Sequence, residues 1–412
     1  MNPKKRRRYS IEAGPMGPIG EGEALILRVS RNCPWNKCLF CPVYKGRTFS
    51  RRDAEEIKND IDAVQRIRDL IDQTSWHIGF SGRINRELLT EVVRHHPEIY
   101  GNPAGLVSQD QYEALISLQN TANWMMCGSR RVFLQDANAL ATKSEDLAEV
   151  LRYLKGTFPS VQTITCYARS KTCSQKSLEE LYEIKEAGLS WVFVGIESGC
   201  DEVLKYMQKG VTGAEHSAGG QAVQKAGINM AAFVMPGLAG NDRQLAQRHV
   251  TETLRILNDI KPAEIRIRSL AVIENSPLYG GWRSGEFSCA DDDQMIDEIR
   301  LILEGLTFDC TFETLQMTNV LFAVKGTLSA IRESLFAQIG EYQAKAPRER
   351  LRFRFNKYVS GGYLDCVQQW GKYDEKLNQV IEEARQSLEG WDPAAGERTE
   401  EAICSIKSKG IP

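Results

Sequence analysis

Six short apolar runs, each followed by a longer amphipathic stretch, constrain this chain more than any other feature. The runs are Ala24–Ser30, Arg131–Gln135, Val161–Tyr167, Trp191–Ile196, Asn229–Met235 and Glu264–Val272. Residues 52–71, 144–158, 177–187, 201–207 with 214–226, and 243–258 carry apolar positions at helical spacing. Gly188 and Gly227 stand where helix C-caps are expected, each leading straight into the next run. Strand–helix alternation with right-handed crossovers predicts an α/β protein, a partial (βα)6 parallel barrel with helices outside. Ligand chemistry in such folds gathers at the C-terminal ends of the strands.

The interval between the first two runs is too long for one crossover. Residues 76–126 are therefore read as a helical insertion, in which the neighbouring His95 and His96 cannot share a helix face as a metal pair. At 412 residues and roughly 150 per domain, two domains are expected. We divide the chain into a flexible basic and Gly/Pro-containing lead over 1–22, a core barrel over 23–282, and a mostly helical region over 283–412. Within the last, Arg348–Tyr358 alternates basic residues with Leu351, Phe353 and Phe355 and reads as an amphipathic edge strand.

Composition narrows the class. Fifty-two basic residues against 54 acidic ones give a net charge of −2, so contact with an anionic polymer would need a local patch. No apolar run approaches a membrane span and the basic N-terminus lacks a secretory pattern, so a cytoplasmic protein is expected. The odd cysteine count, 11, does not describe a disulfide framework. Eight cysteines are scattered as small buried hydrophobes would be. The other three, Cys33, Cys38 and Cys41, crowd into Asn32-Cys33-Pro34-Trp35-Asn36-Lys37-Cys38-Leu39-Phe40-Cys41 just after the first strand.

Three convergent thiolates suit a soft metal, and a closed zinc site would need a fourth ligand that the loop lacks. A [4Fe–4S] cubane on three cysteines keeps one iron open for a small ligand. On these residues the sequence resembles the radical SAM superfamily over residues 23–282, with Phe40 in the aromatic position before the third cysteine. The four-residue first spacing resembles the subgroup of coproporphyrinogen-oxidase-type and methylthiotransferase-type proteins. The resemblance implies a [4Fe–4S] cluster, S-adenosylmethionine (SAM), and an external one-electron donor of flavodoxin or ferredoxin type.

It also implies a set of SAM contacts at strand ends. The turn after the second strand, with Gln135, Asp136 and Asn138, takes the place that binds the SAM amino group, through backbone carbonyls more than side chains. Gly195-Ile196-Glu197-Ser198-Gly199 and the following Lys209 match a ribose- and carboxylate-holding pair, where relatives carry Gln and Arg. Gly237 matches an adenine-contacting glycine. Arg266 and Arg268 share one strand face and are expected to meet an anionic substrate from the lumen. No residue is singled out as a hydrogen donor, and the substrate is open, nucleic acid included. The competing reading is a non-catalytic thiolate–zinc module for RNA or protein contact, with residues 348–357 as its basic surface.

Overall fold

The computed structural model describes residues 8–15, 21–102, 105, 107–321 and 323–410. The start of the basic tail, part of the Gly/Pro lead and three residues of the insertion lie outside the described residues. The chain forms two compact units, one of residues 1–34, 46–193 and 222–229, the other of residues 35–45, 194–221 and 230–412.

The first unit is built on parallel strands. β1 (Leu25–Arg28) pairs with β4 (Arg131–Gln135) in the register Leu25↔Val132, and β4 pairs with β5 (Thr163–Ala168) in the register Arg131↔Thr163. The short β2 (Ser30–Arg31) and β3 (Ser50–Arg51) form an antiparallel ribbon. β6 (Leu189–Glu197) begins in this unit and ends in the second. Helix Ala54–His77 starts where Asp53 accepts from the Glu56 N–H and buries Ile57, Ile61, Val64, Ile67 and Ile71 along one stripe. The insertion is helical, over Arg86–His95, Pro97–Tyr100 and Gln109–Met126. Helices Ser144–Thr157 and Leu178–Glu186 follow β4 and β5 as the alternation predicts.

The lead expected to be flexible is packed over residues 8–15. Ser10 and Ile11 are buried, and Ile11 N–H donates to Ser117 Oγ at 3.0 Å. Glu12 explains the docking, because it pairs with Arg28 at 3.1 Å and Arg31 at 2.7 Å.

In the second unit β7 (Asn229–Val234), β8 (Glu264–Ile267) and β9 (Thr311–Glu313) run parallel, and β10 (Lys325–Thr327) closes antiparallel on β9. Helices Asp201–Tyr206 and Arg243–Ile260 follow β6 and β7. β9 and β10 were not expected, since three-residue strands fall below any periodicity window. The stretch 348–358 is a correction: it is a helix, Pro347–Ser360, not an edge strand. Leu351, Arg354, Phe355 and Tyr358 are buried at helical spacing while Phe353 is exposed, so the period of two was coincidental. Pro347 at the first turn and Glu349 bonding back to the Ala346 N–H are the start signals that outweigh it. Lys407, on helix Ala395–Ser408, ties this region together through a buried pair with Asp292 at 2.7 Å. Among the described residues no helix is long and apolar enough to cross a membrane.

Candidate functional site

The cysteine loop leaves β2 at Asn32, whose φ of 67° is a left-handed value that asparagine tolerates. Asn32 N–H donates to Asp136 Oδ2 at 2.6 Å, and Arg28 donates to the same oxygen from two nitrogens at 2.9 and 2.6 Å. Asp136 thus anchors the entry to the loop within the first unit, where Cys33 is half-buried. Asp136 Oδ1 is buried with no hydrogen-bond partner among the described residues. Asn138 accepts from the Arg169 N–H at 3.3 Å and donates to Thr172 Oγ1 at 2.8 Å.

The remainder of the loop, Trp35–Lys45, belongs to the second unit. Trp35 Nε1 donates to the Gln208 carbonyl at 2.7 Å, Leu39 N–H to the Met207 carbonyl at 3.0 Å, and Leu278 N–H to the Leu39 carbonyl at 2.9 Å. These bonds hold Cys38 and Cys41, both half-buried thiols, on a fixed backbone. Leu39 and Phe40 pack against a core that includes Val203, Met207 and Leu238. Among the described residues no group of three or more His, Cys, Asp or Glu side chains gathers closely enough to hold a metal ion.

The end of β6 builds a charged pair next to Phe40. Glu197 has φ 62°, an unusual conformation for a glutamate, and its Oε1 lies 3.1 Å from Lys209 Nζ. A Cβ on Gly195 would stand 2.1 Å from Glu197 Oε1 and 2.9 Å from Lys209 Nζ, so only glycine leaves the pair its room. Lys209 Nζ also sits 5.6 Å from the Phe40 ring centroid. Phe40, Glu197 and Lys209 are therefore brought together.

Ser198 and Gly237 are drawn instead into a buried network that the sequence reading missed. Ser198 Oγ is 2.7 Å from His249 Nδ1, His249 Nε2 is 3.8 Å from Glu298 Oε2, and that oxygen accepts the Gly237 N–H at 2.7 Å. Gln294 Nε2 bridges Glu298 Oε1 and the Gly240 carbonyl at 3.1 and 2.8 Å. Burial pushes Glu298 up to about 7 against the pull of the Gly237 N–H and Gln294, and lowers His249 to about 4. His249 could have been found, since it lies on the apolar stripe of helix Arg243–Ile260 with Ala246, Val250 and Thr253.

The arginine reading is corrected. Arg266 donates to Glu264 Oε1 at 2.6 Å, and Arg268 makes a two-pronged pair with Glu313 at 3.2 and 2.7 Å. Both guanidiniums are buried and neutralised by sheet neighbours, so neither waits for an anionic substrate. Glu313 lies on β9, which is why the sequence did not supply the partner.

No family model matches the chain. The tRNA uridine(34) acetyltransferases of Methanocaldococcus jannaschii and Methanocaldococcus infernus are 24% and 25% identical to it over 131 residues, 32% of this chain and 24% of each relative. The chain thus spans about a quarter of the length of the curated relatives it matches. Among solved structures, archaeal Elp3 of M. infernus lacking its N-terminus is 17% identical with a TM-score of 0.39, over 52% of this chain and 55% of that one. The cobalamin-dependent S-adenosylmethionine radical enzyme OxsB is 14% identical with a TM-score of 0.41, over 94% and 53%. Coproporphyrinogen III oxidase (HemN) of Escherichia coli, a radical SAM enzyme, is 12% identical with a TM-score of 0.40, over 73% and 59%. Overlaps this loose leave the chemistry to be read from this chain's own residues.

Proposed function

We propose that this chain is a radical SAM enzyme, in which Cys33, Cys38 and Cys41 hold a [4Fe–4S] cluster and Lys209 and Glu197 orient SAM for reductive cleavage. The observation that carries this reading is the Lys209–Glu197 pair, 3.1 Å apart with Phe40 of the cysteine loop beside it. A mostly buried ion pair at a strand end, on a left-handed glutamate, next to a loop with three thiols, is a costly arrangement for a surface with no ligand to bind.

By number and type the loop's donors suit the cluster. The loop offers three half-buried thiols and no histidine or fourth cysteine, which suits a cubane with one iron left for an exogenous ligand. When bound, the cluster supplies the single electron that splits SAM into methionine and a 5′-deoxyadenosyl radical.

The chain's own residues do the positioning. Lys209 presents a cation to the SAM carboxylate, and Glu197 has a second carboxylate oxygen with which to accept from the ribose hydroxyls. The turn after β4 offers backbone carbonyls at Asp136 and Asn138, and the unpartnered Asp136 Oδ1, as acceptors for the amino group. Ser198 acts through His249, fixing the turn that carries Glu197, and Gly237 closes the adenine side through its bond to Glu298. Electrons come from a flavodoxin- or ferredoxin-type donor. The acetyl transfer in the names of the curated relatives belongs to those longer proteins.

The test is anaerobic reconstitution with iron and sulfide, reduction, and measurement of 5′-deoxyadenosine and methionine from SAM. Both products are expected, in equal amounts. Stoichiometric zinc with no iron and no cleavage would return the loop to a thiolate–zinc role.

A further inference from the structure

In the first unit a cleft of about 430 Å³ opens beside the turns that follow β4 and β5. Its lining carries Arg51, Lys143, Arg169, Lys171 and Lys176, with Glu180 the one carboxylate among the described lining residues. The protein as a whole is nearly neutral, so this concentration of cations is a local feature, the kind of patch that overall composition cannot reveal.

The five cations come from three segments. The β2–β3 ribbon delivers Arg51, whose Nε is held by the Ala141 carbonyl at 2.8 Å. The turn after β4 presents the exposed Lys143, and the segment after β5 brings Arg169, Lys171 and Lys176. Glu180 is bound into a helix start, accepting from Ser144 Oγ at 2.6 Å and the Ser177 N–H at 2.8 Å, and its charge answers Lys176 at 3.5 Å. Arg51, Lys143, Arg169 and Lys171 share the cleft with that pair. Asn138 and Thr172, also in the lining, add neutral hydrogen-bonding groups. A cleft of this volume that carries five cations beside the apolar Pro34, Leu140 and Ala141 selects for charge on its ligand.

We propose that this cleft binds a run of phosphate groups, supplied by the backbone of an RNA strand. Five cations spread over three segments match several phosphates in succession better than a single carboxylate. Pro34, the residue after Cys33, also lines the cleft, so a strand seated there passes the start of the cysteine loop. A nucleotide polyphosphate carries the same chemistry, and the experiment separates the two. The inference stands on the first unit's charges and does not rest on the radical reading.

The test uses the full reconstituted chain. Anisotropy of a labelled single-stranded RNA is titrated at several salt concentrations, with ATP as a competing probe. Five phosphate contacts give a slope of log K against log[salt] of about −3.5. Lys143→Gln with Lys171→Gln should make that slope shallower by about 1.4 and weaken binding at low salt by roughly tenfold or more. Lys209→Ala should leave RNA binding unchanged, while the double variant should leave SAM affinity unchanged, so the two readings fail separately. ATP binding that is sensitive to the double variant, with no RNA binding, would support the phosphate site and assign it to a nucleotide. RNA and ATP binding that both ignore the double variant, or no binding of either, would overturn the proposal.

Discussion

Lys209 Nζ lies 3.1 Å from Glu197 Oε1 across a gap that only Gly195 leaves open. The pair comes from positions 12 apart, one on a strand end and one after a short helix, and the proposed roles give neither residue a part in cluster assembly. Lys209→Ala should therefore keep its iron and colour while losing SAM affinity. One charge-assisted hydrogen bond is worth about 1.5–3 kcal/mol, or roughly 10- to 150-fold. Lys209→Arg should be milder because the cation survives. Titrating SAM against the cluster's spectrum in all three proteins measures this, and unchanged affinity in Lys209→Ala would return the residue to a structural role.

The cysteines divide by environment. Cys166 and Cys173 are fully buried thiols whose ionisation burial disfavours, Cys173 being pushed up to about 12, and Cys310 likewise to about 12. A thiol held neutral is a poor metal ligand. Cys33→Ala, Cys38→Ala or Cys41→Ala should each abolish the cubane, whereas Cys166→Ser, Cys173→Ser or Cys310→Ser should keep about four irons per chain. Iron and sulfide analysis decides it, and about eight irons in the wild type would reveal a second cluster.

What was legible in the sequence was what periodicity and spacing encode. The β4 span and most helix starts follow from alternation and helical spacing, as with residues 177–187, where helix Leu178–Glu186 forms. That Phe40, Glu197 and Lys209 lie near one another was legible because a motif's spacing survives translation into three dimensions. Of the Ser198–His249–Glu298 chain only the place of His249 on an apolar helix stripe was legible, because members that come from a turn and two helices have no fixed spacing. Arg266 and Arg268 were misread for a related reason: strand alternation reveals a shared face, but not the Glu313 opposite it. The helix at Pro347–Ser360 shows period two losing to capping when both patterns fit the same apolar residues.

Gly210 offers a test of how the cysteine loop is held. Its φ is 66°, and a Cβ there would lie 2.1 Å from Trp35 Cζ2, the ring whose Nε1 donates to the Gln208 carbonyl. Gly210→Ala must displace the indole or the turn, at a cost of about 1–3 kcal/mol. The loop should loosen, seen as faster proteolysis near Trp35 and faster loss of iron to a chelator. Gly280→Ala, where a Cβ meets nothing within 4 Å, serves as the control.

Glu298 and His249 face each other at 3.8 Å, and burial shifts them in opposite senses, Glu298 from 4.5 up to about 7 and His249 from 6.5 down to about 4. Native Glu298 keeps a proton that the unfolded chain loses, so its contribution to stability is full at acid pH and is lost as pH rises toward about 7. Native His249 refuses a proton that the unfolded chain accepts, so its contribution is full above about 6.5 and is lost as pH falls toward about 4. Across the shared window the two slopes oppose each other, each about 1.4 kcal/mol per pH unit, and nearly cancel. Glu298→Gln removes one slope and leaves the other. Whatever its absolute stability, the variant should gain on the wild type by about 2 kcal/mol between about pH 5 and pH 6.5. Urea unfolding midpoints of both proteins at the two pH values measure the difference. A constant offset would mean that Glu298 titrates as an ordinary carboxylate, with water reaching the turn between β7 and helix Arg243–Ile260.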